Sequence, residues 1–189
     1  IAGFAVGIVN KKKILDKKKI KKENLILAVP SSGLHSNGYS LIRYLLKKKK
    51  INIKKNLFLK TELIKPTKIY VKEILNLIRN NLLNGCANIT GGGLAENIKR
   101  IIPKNLCAEI DLNKINPPKI FTWLKSHNIN DEEMLKTFNC GVGFCIIIES
   151  KNLKKISKFF SKKYKPYVIG KISKGENKVE LNGSINWYQ

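Results

Sequence analysis

The sequence predicts an α+β fold: a layered domain with a mixed β-sheet covered by helices. Three observations predict it. The chain has 189 residues, 43% hydrophobic and 26% charged, which suits one good hydrophobic core. Short apolar runs of strand length are separated by stretches whose apolar residues recur at helical spacing. Mixed strands and helices in this order suggest one sheet covered by helices.

Ile1 to Val9 is apolar, has no basic segment before it and runs into Asn10 and three lysines, the reverse of a signal peptide, so it reads as a strand. Leu25 to Val29 is a buried-strand run stopped by Pro30 and Ser31-Ser32-Gly33. The next helix carries Tyr39, Ile42, Leu45 and Leu46 on one face, ends in Lys47 to Lys50 where cations suit the helix dipole, and takes Ser36 or Asn37 as its cap. Pro66-Thr67 opens a helix with Tyr70, Ile74, Leu77 and Ile78 inside. Cys86 to Ile89 is a strand entering Thr90-Gly91-Gly92-Gly93, and Leu94, Ile98, Ile101 and Ile102 continue as a helix up to Pro103. Ala108 to Leu112 is a strand, and Pro117-Pro118 precedes a helix with Ile120, Phe121 and Leu124. Asp131-Glu132-Glu133 starts another helix, Gly141 to Ile148 is an apolar strand, and Leu153, Ile156, Phe159 and Phe160 mark a helix. Tyr167 to Ile172 returns as a strand and turns at Lys174 to Asn177 into Val179-Glu180-Leu181 as a hairpin.

No apolar run reaches the roughly 18 to 20 residues of a membrane span. The four cysteines (Cys86, Cys107, Cys140, Cys145) form no CxxC pair, which argues against structural zinc and for a reducing, cytoplasmic setting. The net charge of +24 raises nucleic acid as a partner. The lysines, however, recur along almost the whole chain without a recognisable binding motif, so a solvated lysine-rich surface is the plainer reading and no specific nucleic-acid partner is expected.

Two loops concentrate chemistry. Ser31-Ser32-Gly33-Leu34-His35-Ser36-Asn37-Gly38 puts hydroxyls, an imidazole, an amide and two glycines between a strand and a helix, the composition of an oxyanion site. Thr90-Gly91-Gly92-Gly93 costs backbone entropy unless something approaches the main chain closely. For both, an ordinary capped turn is the competing reading, and neither fits a Walker A or a GxGxxG pattern. Cys140 is rejected as a nucleophile because neither histidine is placed to activate it, and His127 reads as a surface residue.

Ser31 to Leu41, Pro66-Thr67-Lys68-Ile69-Tyr70-Val71-Lys72, Ile89 to Ile98 and Glu133 to Gly143 together resemble, in this order, the phosphoribosylformylglycinamidine cyclo-ligase (aminoimidazole ribonucleotide synthetase) family. The similarity runs from residue 1 to about Leu181 and covers that family's C-terminal part. The resemblance implies ATP-dependent closure of formylglycinamidine ribonucleotide to aminoimidazole ribonucleotide in purine synthesis, by a cytoplasmic homodimer with two domains per subunit. It assigns residues 1–10 to the last strand of a first domain otherwise absent from this sequence, and 11–189 to the C-terminal domain. ATP and Mg2+ would be held mainly by that first domain, with no metal ligand in this chain, so that the isolated chain is expected to be inactive. Ser31, Ser32, Gly33, His35, Ser36 and Asn37 are placed on the substrate side of the cleft, Thr90, Gly91, Gly92 and Gly93 at a phosphate, Asn97 as a side-chain contact and His35 as a candidate acid or base. Glu23-Asn24 and Lys99 depart from the family's usual Gly-Asp and Pro. Other ATP-using members of the superfamily (formylglycinamidine ribonucleotide synthetase, selenophosphate synthetase or thiamine-phosphate kinase type) and a basic nucleic-acid-binding module are the alternatives.

Overall fold

The computed structural model describes residues 3–11 and 14–188. Six strands form one mixed sheet: β1 (Leu25–Pro30), β2 (Gly85–Asn88), β3 (Leu106–Asp111), β4 (Val142–Ile148), β5 (Tyr167–Lys174) and β6 (Lys178–Asn182), in the order β2-β4-β1-β5-β3-β6. All pairs are antiparallel except β3 with β6. Between them run α1 (Tyr39–Lys48), α2 (Leu57–Leu63), α3 (Val71–Arg79), α4 (Gly93–Lys99), α5 (Lys119–Lys125), α6 (Asp131–Thr137) and α7 (Leu153–Ile156).

The central strands are apolar throughout because both faces are covered. Ile26, Ala28, Cys145 and Ile147 point to one core, shared with α1, α2, α4, α5 and α6. Leu27, Val29, Ile146 and Ile148 point to the other, shared with α3 and α7. This is the period-two alternation of a strand expressed in a sheet with no wet face at its centre. Cys145 packs as a small hydrophobe in the first of these cores, and Cys107 is buried in β3.

Several expectations are corrected. β5 and β6 are not a hairpin: β3 lies between them, and the connecting turn straddles its start, with Gly175 N–H donating to Asn105 O at 3.3 Å and Asn177 N–H to Leu106 O at 2.9 Å. Pro66-Thr67 does not open a helix; residues 65–70 stay irregular and α3 begins at Val71. α2, capped by the Asn56 side chain at 2.9 Å from Leu59 N, was not expected, because its apolar pattern is short and interrupted by lysine. Neither Ser36 nor Asn37 caps α1; Gly38 does so from the left-handed region at φ 77°, where a Cβ would overlap the Phe138 ring. Residues 3–10 carry no strand, and Phe4, Val6 and Ile8 are fully exposed; Ile1 and Ala2 lie outside the described residues. Among the described residues no helix is long and apolar enough to cross a membrane.

Candidate functional site

Antiparallel pairing of β4 with both β1 and β2 makes β1 and β2 run the same way on either side of it. The loop leaving β1, the turn leaving β2 and the segment entering β4 therefore meet at one end of the sheet. The first two are the loops singled out in the sequence, and the third is the end of the Glu133 to Gly143 stretch.

The loop after β1 is tied down from inside. Ser31 N–H donates to Gly141 O at 2.8 Å, and Ser31 Oγ donates to Gly33 O at 2.9 Å. His35 is buried and held at φ 58°; its Nε2 accepts the Ser32 N–H at 3.1 Å, which puts the proton of the neutral ring on Nδ1. Burial lowers its pKa. The imidazole packs against Tyr70, with ring centroids 6.1 Å apart, and both rings fill the space that a side chain at Gly143 would need. Tyr70 donates its hydroxyl to Pro30 O at 2.8 Å, and its pKa is raised by burial, with smaller contributions from Tyr164 and Glu73. Ser32 Oγ donates to Pro66 O at 2.8 Å, and exposed Ser36 shares a 3.2 Å hydrogen bond with Thr67, so residues 66–70 brace the loop's outer side.

The glycine turn is organised by Asn97, which is buried. Its Nδ2 donates to Gly93 O at 2.7 Å and Gly91 O at 3.2 Å, and its Oδ1 accepts from Thr90 Oγ1 at 3.2 Å. Asn97 thus faces inward and shapes the turn. The three glycines have separate reasons. Gly93, at φ 64°, lies against α6, where a Cβ would overlap Leu135 O; Gly92, at φ 88°, lies under the carboxylate of Glu96. At Gly91 a Cβ would meet only an ordinary contact, Asn37 Oδ1 at 3.7 Å, so the two loops adjoin there. A groove of about 530 Å³ runs between them, lined by Asn37, Ser40, Gly91, Gly92, Glu96 and Glu133 among others.

Sequence reading missed Asn139, Thr67 and Tyr70 as parts of this end. All three sit in segments whose motifs were visible, but their partners are far along the chain. Cys140 behaves as expected of a non-nucleophile: it is buried, its Sγ–H points to Met134 O at 3.3 Å, and burial pushes its thiol up. His127 is half-buried at the end of α5, its Nδ1 2.8 Å from Trp123 O. No group of three His, Cys, Asp or Glu that could hold a metal ion exists among the described residues.

Residues 21–182 match the family model of the AIR synthase related protein, C-terminal domain. The chain is 44% identical over 190 residues to a phosphoribosylformylglycinamidine cyclo-ligase of Thermodesulfovibrio yellowstonii, covering 96% of this chain and 55% of that relative. It is 43% identical over 188 residues to the enzyme of the same name from Fusobacterium nucleatum, covering 96% and 56%. The chain spans about half the length of these curated relatives. Among solved structures, thiamine-monophosphate kinase from Stenotrophomonas maltophilia superposes with a TM-score of 0.62 at 16% identity, over 93% of this chain and 55% of that one, which shows a shared fold.

Proposed function

Because the chain belongs to the AIR synthase related protein, C-terminal domain, family, we propose that it is the substrate-holding part of an ATP-dependent phosphoribosylformylglycinamidine cyclo-ligase. The reaction closes formylglycinamidine ribonucleotide to aminoimidazole ribonucleotide. The γ-phosphoryl group of ATP passes to the formyl oxygen, the internal amine attacks that carbon, and the new C–N bond displaces phosphate, leaving ADP.

The observation that carries this reading is the convergence of three polar, glycine-containing segments at one sheet end, held by bonds within and between them. Ser31, His35 and Asn97 spend their hydrogen bonds on shape. Ser36, Asn37, Gly91 and the rim of the groove are left facing outward, and the part-buried Ser32 links them to residues 66–70. A preorganised main-chain turn suits a phosphate or amide oxygen, because its donors need no rearrangement on binding. The bond from Ser32 N–H to Nε2 leaves Nδ1 as the His35 atom for proton transfer or donation. Mg2+ would take its ligands mainly from the preceding domain. In this reading residues 1–10 close the preceding domain, the cleft lies between domains, and the enzyme works as a cytoplasmic homodimer.

The decisive experiment is an assay of ADP and aminoimidazole ribonucleotide formation by the chain joined to the first domain of a relative. Turnover that is absent from the chain alone and present in the joined protein is the expected result. Turnover by the chain alone, or none from a folded joined protein, would overturn it.

A further inference from the structure

Residues 183–188 run from the end of β6 to the start of α6. Gly183 turns in the left-handed region at φ 77°, where a Cβ would overlap the Asn113 side chain, and Ser184 N–H donates to Asn113 Oδ1 at 3.4 Å. Ile185 and Trp187 are then buried in the core shared with α5 and α6. Trp187 Nε1–H donates to Asp131 Oδ1 at 3.0 Å, and Thr122 Oγ1 donates to Trp187 O at 2.5 Å. Lys125 pairs with the same Asp131 oxygen, donates to Ile129 O at 2.8 Å and lies 5.9 Å from the centre of the Trp187 ring. These four side chains form one junction between the segment after β6, α5 and the first residue of α6.

A buried indole N–H needs a partner, and any free carbonyl would serve. Its partner here is the first residue of a seven-residue helix. A helix that short has no stability of its own in water, so tertiary contacts decide where it lies. α6 in turn reaches both loops of the candidate site. Leu135 O fills the space beside Gly93, and Glu133, Lys136 and Thr137 line the groove together with Gly91 and Gly92. The last turn of α6 also holds the residues that follow it, with Phe138 N–H donating to Met134 O at 3.0 Å. The Phe138 ring fills the space beside Gly38, and Asn139 bonds to the carbonyls of Gly33 and Leu34.

We propose that Trp187 is a positioning residue for the candidate site: through Asp131 it sets where α6 lies, and α6 sets the glycine turn and the loop after β1 together. The width of the groove between those loops then depends on a bond made at the far end of α6. Only the kinetic arm of the test rests on the reading above.

The test is hydrogen–deuterium exchange of the chain, resolved by segment. Trp187→Phe keeps an aromatic ring in the core and removes the donor to Asp131. Losing a hydrogen bond to a charged but exposed carboxylate is expected to speed exchange about three- to tenfold at residues 33–38 and 91–97, with β1 and β4 within about twofold of the parent. Acceleration of β1 and β4 as large as that of the two loops would make Trp187 a core residue alone and overturn the proposal, as would unchanged loops. Asp131→Ala is expected to reproduce the loop pattern, and Asp131→Asn, which keeps an oxygen for the indole, to lie nearer the parent; equal effects would trace the change to the Lys125 pair and overturn the proposal. Asp131 is exposed, so these two variants decide the matter if Trp187→Phe does not fold. In the joined enzyme Trp187→Phe is expected to raise the substrate KM severalfold, while Ile185→Val, which trims the same segment without touching a hydrogen bond, stays within about twofold. An unchanged KM would overturn the role at the site. A folded joined protein without turnover would overturn the reading above and leave the exchange result to decide this one.

Discussion

The side-chain amide of Asn139 donates to the main-chain carbonyl of Gly33 at 2.9 Å, joining residues 106 apart in sequence. The same amide reaches Leu34 O at 3.2 Å, and its Oδ1 accepts from Gly141 N–H at 2.8 Å. One buried side chain thus staples the loop after β1 to the segment entering β4. Asn139→Ala takes the donor from Leu34 O and the acceptor from Gly141 N–H, leaves Gly33 O with the Ser31 hydroxyl alone, and is expected to cost about 2 to 4 kcal/mol in urea unfolding. Asn139→Asp, which has no donor when ionised, is expected to cost at least as much.

Gly91 and Gly93 should separate binding from folding. Gly93→Ala forces a Cβ into Leu135 O at a positive φ and is expected to destabilise by about 3 kcal/mol or more. The Cβ of Gly91→Val meets only an ordinary contact, Asn37 Oδ1 at 3.7 Å, so thermal unfolding is expected to change by less than about 1 kcal/mol, while ligand affinity in the joined enzyme falls at least tenfold. Unchanged kinetics from Gly91→Val would assign the turn to structure alone.

Burial lowers the pKa of His35, which gives stability a defined pH dependence. Above the ordinary histidine value near 6.5 the ring is neutral in both states, and its contribution is constant. As pH falls below that value the unfolded chain takes up a proton that the folded protein resists, so stability drops until the folded pKa is reached. The carboxylates with lowered values, Glu73, Asp111 and Glu149, act at lower pH. Urea midpoints between pH 8 and 5 should therefore fall more steeply for the parent than for His35→Gln.

Glu23 sits at φ 66°, at the position where the resemblance leads one to expect glycine. Its N–H donates to Ile172 O at 2.8 Å, and its side chain makes only an exposed 3.7 Å pair with Lys22. Glu23→Gly keeps the main-chain bond and relieves the left-handed strain, so the melting temperature is expected to rise, by about 0.5 to 1 kcal/mol of stability. A lower melting temperature would show that the ion pair outweighs the strain.

What the sequence determined by itself was local. Runs such as Leu25 to Val29 and Gly141 to Ile148 declare themselves as strands because they are apolar on both faces, and α1 and α6 are legible in their spacing and first-turn carboxylates. The glycine segments were legible because backbone approach restricts the residue types allowed. Pairing was not. A strand's hydrogen bonds are main-chain groups common to all residues, so nothing local announced that β3 would slip between β5 and β6. The same holds for the site: the tertiary structure alone decided that Asn139 and Asn97 turn inward, and that His35 spends Nε2 on Ser32. A buried amide or imidazole must satisfy whichever groups the fold brings beside it, and those groups lie tens of residues away or are exposed only by the turn's own geometry.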